Sequence, residues 1–333
     1  MKRAFHIVVM AVLASEAFVI GQGGDAAHLL ATVRAALGGD QKLTAITSLA
    51  LAGQTTRVSS DATSNSTEFE IAMQLPDKYV KKEIVAVLGG ASLSRTSGFN
   101  GAGLIDAMDA PPGMGSPGMV IRMAGPSGAL MGMPQTPEQE AEARRAAMLA
   151  SQQEFARLAL GLFGASFKGY PLAFAAIEHV ESPDGPADVI DVTGDGAFAG
   201  KLFVDSRTHL PRMLTWMAKE PLRMTPGPGG AASGGERVVA GGGSALSSFQ
   251  AGTMTADDRE ALLKDLSDRM QAADAARRVV EYRLSYLDYR DVQGLKMPSR
   301  IQRSIDGTAV DEMSFSTMRL NPRIDPRTFE TVK

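Results

Sequence analysis

The sequence contains no cysteine, and only four of its 333 residues are histidine. The absence of cysteine excludes disulfide bonds, thiolate metal ligands, thiol nucleophiles and a lipid-modified N-terminal cysteine. His6, His28, His179 and His209 are far apart in the sequence and lack the short spacings of zinc ligands. We therefore predict no metal site and no cofactor.

A strong net charge is also lacking. The chain has 34 Lys and Arg residues against 37 Asp and Glu residues, a formal net charge of −3. This balance gives no overall positive field, so we predict no nucleic-acid partner. The composition of 44% hydrophobic and 21% charged residues is typical of a globular chain. The 35 glycines and 17 prolines predict long loops.

Motifs of common enzyme classes are incomplete. Residues 125–129 resemble a nucleophile elbow but end in alanine instead of glycine. Residues 194–199 match a relaxed dinucleotide-binding fingerprint, yet residues 201–205 alternate as a strand where that site needs a helix. We therefore predict that the protein is not an enzyme. A hydrolase with dispersed residues is a third reading, which a histidine within hydrogen-bond distance of Ser or Asp in a cleft would favour.

The N-terminus has the pattern of a secretory signal peptide. Lys2 and Arg3 precede a short apolar stretch, residues 4–14, which is interrupted only by His6. Spanning a bilayer needs about 20 apolar residues, so this stretch is too short. Small residues follow it at spacings that a signal peptidase accepts. We predict that residues 1–22 are removed and that residues 23–333 form a single domain in the periplasm.

Capping signals predict where helices begin. Residues 136–139, Thr-Pro-Glu-Gln, combine an N-cap, a proline in the first turn and a capping box, and they predict a helix that ends at Phe163. Asp25 can cap a short helix over residues 24–37, which Gly38 and Gly39 end. A further helix is predicted after Thr255.

Alternation of apolar and polar residues predicts about ten strands. Turn signals such as Asn100-Gly101 and Asp306-Gly307 separate them. Strands do not alternate with long helices, which disfavours a parallel sheet. We predict an α+β fold, in which helices cover the concave side of one curved antiparallel sheet, an unclosed half-barrel. The strands are predicted within residues 46–99 and at residues 173–180, 187–192, 198–205, 210–217, 279–289, 295–305 and 310–320.

Two segments lack any regular period. Residues 108–135 are rich in Met, Gly and Pro, and residues 219–277 combine a Gly-rich insertion with the helix after Thr255. Unbranched methionine side chains on a loop can adapt to varied apolar ligands. The same methionines can instead fold back onto the sheet, and both interpretations stay open. The residues predicted to form a lid are Met123, Met131, Met133, Phe155 and Leu158.

Four hairpin segments resemble a known family. They are residues 75–79, 98–101, 203–211 and 286–298. Their turns are similar to those of outer-membrane lipoprotein carrier-like proteins, the LolA/LolB-like superfamily. The resemblance implies an unclosed antiparallel β-barrel around an apolar cavity, which in the carriers takes the acyl chains of lipoproteins that cross the periplasm. The chain departs from those carriers in its length, its Met-rich loop and its Gly-rich insertion.

The function we predict from these patterns is non-catalytic binding. A monomeric periplasmic protein would hold lipid or lipoprotein acyl chains in an apolar cavity, as a carrier or sensor in outer-membrane lipoprotein sorting. The alternative is an interaction module of a signalling or envelope-assembly system, in which residues 219–256 meet a protein partner. A filled sheet interior would favour that alternative. A shift of the strand register by one residue would turn every predicted lining residue to the other face of the sheet. The predicted cavity-lining residues are Phe69, Ile71, Met73, Leu202, Val204, Leu214, Trp216, Leu284 and Tyr286.

Overall fold

The chain is described by a computed structural model at residues 22–58, 66–86, 92–109, 137–181, 185–221 and 271–330, with a few isolated positions between 222 and 270. The predicted signal peptide therefore lies almost entirely outside the described residues. The same holds for the methionine-rich loop beyond Asp109, for most of the glycine-rich insertion and for most of the helix predicted after Thr255.

Fourteen strands are present among the described residues, and twelve of them form one sheet. The two short strands β10 and β11 make a separate parallel pair. The bounds are β1 Ser48–Arg57, β2 Ser66–Gln74, β3 Lys78–Ala86, β4 Ser92–Asn100, β5 Gly103–Asp109, β6 Leu172–Val180, β7 Ala187–Gly194, β8 Phe198–Asp205, β9 Pro211–Lys219, β10 Met224–Thr225, β11 Val238–Val239, β12 Val279–Val292, β13 Leu295–Ile305 and β14 Thr308–Leu320.

The large sheet is antiparallel throughout and does not close into a barrel. Its order is β5-β4-β3-β2-β1-β14-β13-β12-β9-β8-β7-β6, so β5 and β6 are the edges. The predicted α+β fold with a curved, unclosed antiparallel sheet is confirmed. The sheet has twelve strands, whereas about ten were predicted. Met108 belongs to β5 and Lys219 to β9, although both were predicted to lie in irregular segments, residues 108–135 and 219–277.

Tight turns produce this topology where the sequence signals them. Gln293 and Gly294 both have positive φ angles, of 55° and 81°, as do Asp306 and Gly307, at 46° and 76°. Two successive residues with positive φ are the geometry of a two-residue hairpin, which matches the right-handed twist of the strands. These turns join β12 to β13 and β13 to β14.

The helices are α1 (Gln22–Ala36), α2 (Asp40–Thr44), α3 (Pro137–Phe163) and a 3₁₀ helix at Pro326–Phe329. Helix α3 begins and ends as its capping signals predict. Helices α1 and α3 pack on one face of the large sheet, which we call the covered face. The opposite face is called the outer face.

Candidate functional site

The nine residues predicted to line a cavity come together on the covered face. Across neighbouring strands, Leu202 pairs with Leu214, and Leu214 pairs with Leu284. All nine belong to one apolar cluster or pack against it, together with Phe155 and Leu158 of α3. Strand alternation thus places these nine side chains together on the covered face. The other three predicted lid residues, Met123, Met131 and Met133, lie outside the described residues.

Helix α3 fills the space above these side chains. The ring of Phe155 lies 5.5 Å from that of Phe99 and 5.9 Å from that of Tyr79, measured between centroids. Gly161 lies so close to Tyr286 that a Cβ atom there would come within 2.1 Å of the tyrosine ring. Seven of the nine predicted lining residues are at most 2% exposed. Within the described residues the covered face is a packed core, and its predicted role as a ligand-contacting surface stays a prediction.

Charged residues also lie at the interface of α3 with the sheet. Lys81 of β3 is 3.1 Å from the Glu154 carboxylate and 3.0 Å from the Glu83 carboxylate, measured from Nζ to Oε1. Burial opposes ionisation of Glu154, but the charge and hydrogen bond of Lys81 hold the pKa of this carboxyl below its usual value. Burial likewise disfavours the charged form of Lys81, yet Glu154 and Glu83 raise its pKa overall. The ion pair therefore fastens α3 to the sheet in its charged form.

Arg157 follows one turn after Glu154 and lies against aromatic rings. Its guanidinium carbon is 4.3 Å from the ring centroid of Trp216 and 5.3 Å from that of Phe198. Trp216 in turn stacks on Tyr282 at a centroid distance of 5.4 Å. Burial lowers the pKa of Arg157 to about 10, which still leaves the side chain charged at neutral pH. Sequence analysis missed this cluster, although Arg157 is only two residues from Phe155.

The outer face has a groove of about 540 Å³ that sequence analysis did not predict. Its lining combines four alanines of the sheet with larger residues such as Glu70, Lys82 and Arg319, and residues 322–330 pass over it as a strap. Ser48 donates a 2.7 Å hydrogen bond to the Pro322 carbonyl at one end of the strap, and Phe329 is buried against Val80 and Ile105 at the other. The alternation of Leu and Ala in β1 is the sequence signal for this lining. The four alanines are Ala50, Ala52, Ala72 and Ala107.

His179 lies on an edge strand of the sheet rather than in a cleft. His179 Nδ1 is 3.0 Å from Asp188 Oδ1, but the side chain is 56% exposed on the edge strand β6. The hydrolase hypothesis requires a histidine in a cleft within hydrogen-bond distance of Ser or Asp, and the exposed position of His179 does not meet this requirement. Among the described residues, no three His, Asp or Glu side chains gather as metal ligands could. Within the same residues, no helix combines the length and apolar character needed to cross a bilayer.

Comparison with known proteins gives similarity in structure alone. No family model and no curated protein matches the chain. A DUF1329 family protein from Desulfovibrio piger is 7% identical, with a TM-score of 0.43 over 92% of this chain and 97% of that one. A LolA superfamily protein from Nitrosomonas europaea is 10% identical, with a TM-score of 0.40 over 93% and 98%. An outer membrane lipoprotein-sorting protein domain from Vibrio parahaemolyticus is 8% identical, with a TM-score of 0.40 over 92% and 97%. These similarities assign no function and no site residue to this chain.

Proposed function

We propose that the protein is a periplasmic, non-catalytic carrier or sensor that holds lipid or lipoprotein acyl chains on the covered face, beneath α3. The observation that supports this proposal is the convergence of the nine predicted side chains into one apolar cluster under a helix that is fastened partly by charge. An acyl chain can replace the apolar contacts of α3, and water can replace the contact between Lys81 and Glu154. When α3 moves away, the acyl chain replaces the helix as the apolar group in contact with the sheet.

Burial of the acyl chain supplies the favourable free energy of such an exchange. Each buried methylene contributes about 0.8 kcal/mol, so ten to sixteen methylenes of one chain contribute roughly 8–13 kcal/mol before costs. Association and ordering take back a large part of this gain. Displacing Phe155 and Leu158 takes back more, because both are packed on the sheet.

The proposal is tested by preventing α3 from moving. Because the chain has no cysteine, Lys81→Cys with Glu154→Cys gives two unique thiols that a cleavable bis-maleimide can join. Hexadecanol, a neutral acyl-like probe, is expected to bind the wild type and the unbridged double variant, to be excluded by the bridge and to bind again after cleavage. Equal binding with and without the bridge would contradict the proposal.

A control variant separates the two faces of the sheet. Ala72→Leu places a larger side chain in the outer groove and leaves the covered face unchanged. We expect hexadecanol affinity to be unaffected by this substitution. A loss of binding in Ala72→Leu together with normal binding in the bridged protein would move the acyl site to the outer groove.

The packed interior of the covered face is the one observation that supports the alternative function, a protein-interaction module, because an acyl chain can enter only if α3 moves away. Native mass spectrometry of the protein purified from the periplasm distinguishes the two functions. Co-purified lipid supports the carrier or sensor. A stoichiometric protein partner without lipid supports the interaction module.

A further inference from the structure

Arg157 is held in place by contacts that leave part of its guanidinium unused. The Tyr286 hydroxyl donates a 2.7 Å hydrogen bond to the Arg157 carbonyl, which fixes the backbone of α3 at this point. Arg157 Nη2 donates a 3.1 Å hydrogen bond to Gln153 Oε1. The Nε–H group is buried and has no hydrogen-bond partner. An unsatisfied buried donor is costly, so such a group commonly has a functional reason.

Within the described part of the chain Arg157 makes no direct ion pair, although the charge of Glu154 one turn earlier favours its charged form and so opposes the lowering of its pKa by burial. Lys81 contacts the carboxylates of both Glu83 and Glu154, and Arg303 pairs with Asp311. Among the described residues, no carboxylate lies within ion-pair distance of Arg157. Partial burial makes the charged form of a side chain less favourable, so a direct contact with an anion would stabilise it. A guanidinium presents its N–H groups as a planar fork that matches carboxylate and phosphate oxygens.

We propose that Arg157 binds the anionic headgroup, a carboxylate or a phosphate, of the amphiphile whose acyl chain lies beneath α3. This inference rests on the proposed function and adds the chemical class of the ligand. Trp216 and Arg157 are half-buried, whereas Leu202 and Leu214 are fully buried. The headgroup therefore has a place at the edge of the apolar cluster, with the tail directed toward those two leucines.

Trp216 reports directly on this site. It is the only tryptophan of the chain, and the Arg157 guanidinium lies on its ring. Its fluorescence can be titrated with three probes that share one tail: hexadecanol, hexadecanoate and hexadecyl phosphate. In the wild-type protein, we expect one or both anionic probes to bind about tenfold or more tightly than the alcohol. The tighter of the two anionic probes distinguishes a carboxylate from a phosphate headgroup.

Variants of Arg157 test its role in recognition. Arg157→Gln is expected to remove the preference for anionic probes, so that all three probes bind with similar affinity. Arg157→Lys keeps the charge without the planar fork, so it is expected to retain part of the preference. Arg144→Gln, an exposed position on the same helix, should bind all three probes like the wild type. Circular dichroism and the thermal midpoint check that each variant is folded.

Four results would overturn the inference. Equal loss of affinity for the alcohol and the anionic probes in Arg157→Gln and Arg157→Lys would assign Arg157 a packing role only. An undiminished preference for anionic probes in folded Arg157→Gln would place the headgroup elsewhere. Equal affinity of the wild type for all three probes would leave acyl binding intact and refute the headgroup site. Failure of the wild type to bind any probe would refute the proposed function as well.

Discussion

Phe155 is the residue through which α3 makes most of its aromatic contacts. It is 1% exposed and packs against Tyr79, Phe99 and Phe167. Removing a buried phenylalanine ring costs the lost burial and leaves a cavity. We therefore expect Phe155→Ala to lower the free energy of unfolding by about 3–5 kcal/mol in urea titrations.

The control for this substitution is Arg145→Ala, at an exposed position of α3. A surface change of this kind is expected to alter stability by no more than about 0.5 kcal/mol. Similar values for the two variants would mean that the aromatic contacts of Phe155 contribute little to folding.

The stability of the protein is predicted to depend on the protonation state of Glu154. Burial disfavours its charge, but Lys81 keeps its folded-state pKa below the ordinary value of 4.5. A carboxyl whose pKa is lower in the folded state stabilises the fold fully above pH 4.5, and this contribution is lost as the pH falls through the folded-state pKa. Between neutral pH and about pH 3, the wild type should thus lose more unfolding free energy than Glu154→Gln.

The measurement is a series of urea titrations across this pH range. Glu142→Gln, which changes an exposed carboxyl on the same helix, is expected to follow the wild type. If the unfolding free energy of Glu154→Gln had the same pH dependence as that of the wild type, the ion pair with Lys81 would not stabilise the packing of α3 on the sheet.

At the scale of elements, the close contact between α3 and β12 depends on Gly161. Helix propensity alone favours alanine over glycine by about 1 kcal/mol. Here a Cβ atom would come within 2.1 Å of the Tyr286 ring. We expect Gly161→Ala to destabilise the protein by about 1–3 kcal/mol, because overpacking outweighs propensity.

Ala146→Gly is the matched substitution at an exposed position of α3. It is expected to cost about 1 kcal/mol, which is the propensity difference alone. Opposite substitutions at the two positions should then both destabilise the protein in thermal unfolding. Stabilisation by Gly161→Ala would show that α3 moves away from Tyr286 at little cost.

The elements that the sequence predicts well are those with strong local signals. Thr136, Pro137 and Gln139 mark the start of α3, and tight-turn residues delimit β13 at Leu295–Ile305, as predicted. Period-two alternation also groups the nine predicted side chains on one face of the sheet. The pairing of β1 with β14 has no local signal, because its partners are far apart in sequence. The packing of α3 into the covered face is a tertiary property, so the sequence does not distinguish a filled space from an open one.

For the whole molecule, β12, β13 and β14 join two separate meanders. The first meander contains β1 to β5, and the second contains β6 to β9. A chain that ends at Arg278 lacks all three joining strands, so neither meander has its neighbour. We expect this chain to lose cooperative thermal unfolding, as followed by circular dichroism.

A chain that ends at Asn321 is the control, because it loses only the strap over the outer groove. Phe329 then no longer covers Val80 and Ile105, so we expect a lower thermal midpoint with cooperativity retained. Cooperative unfolding of the chain that ends at Arg278, at the wild-type midpoint, would show that the meanders fold independently.

The position of β14 beside β1 also sets the time at which the sheet can be completed. Leu49 lies opposite Leu320 in the middle of the sheet, so the first and last long strands meet only after the whole chain has emerged. Contacts between distant residues form late and slow the search for the native state. Until β14 has been synthesised, β1 therefore pairs with β2 alone and leaves its other edge open.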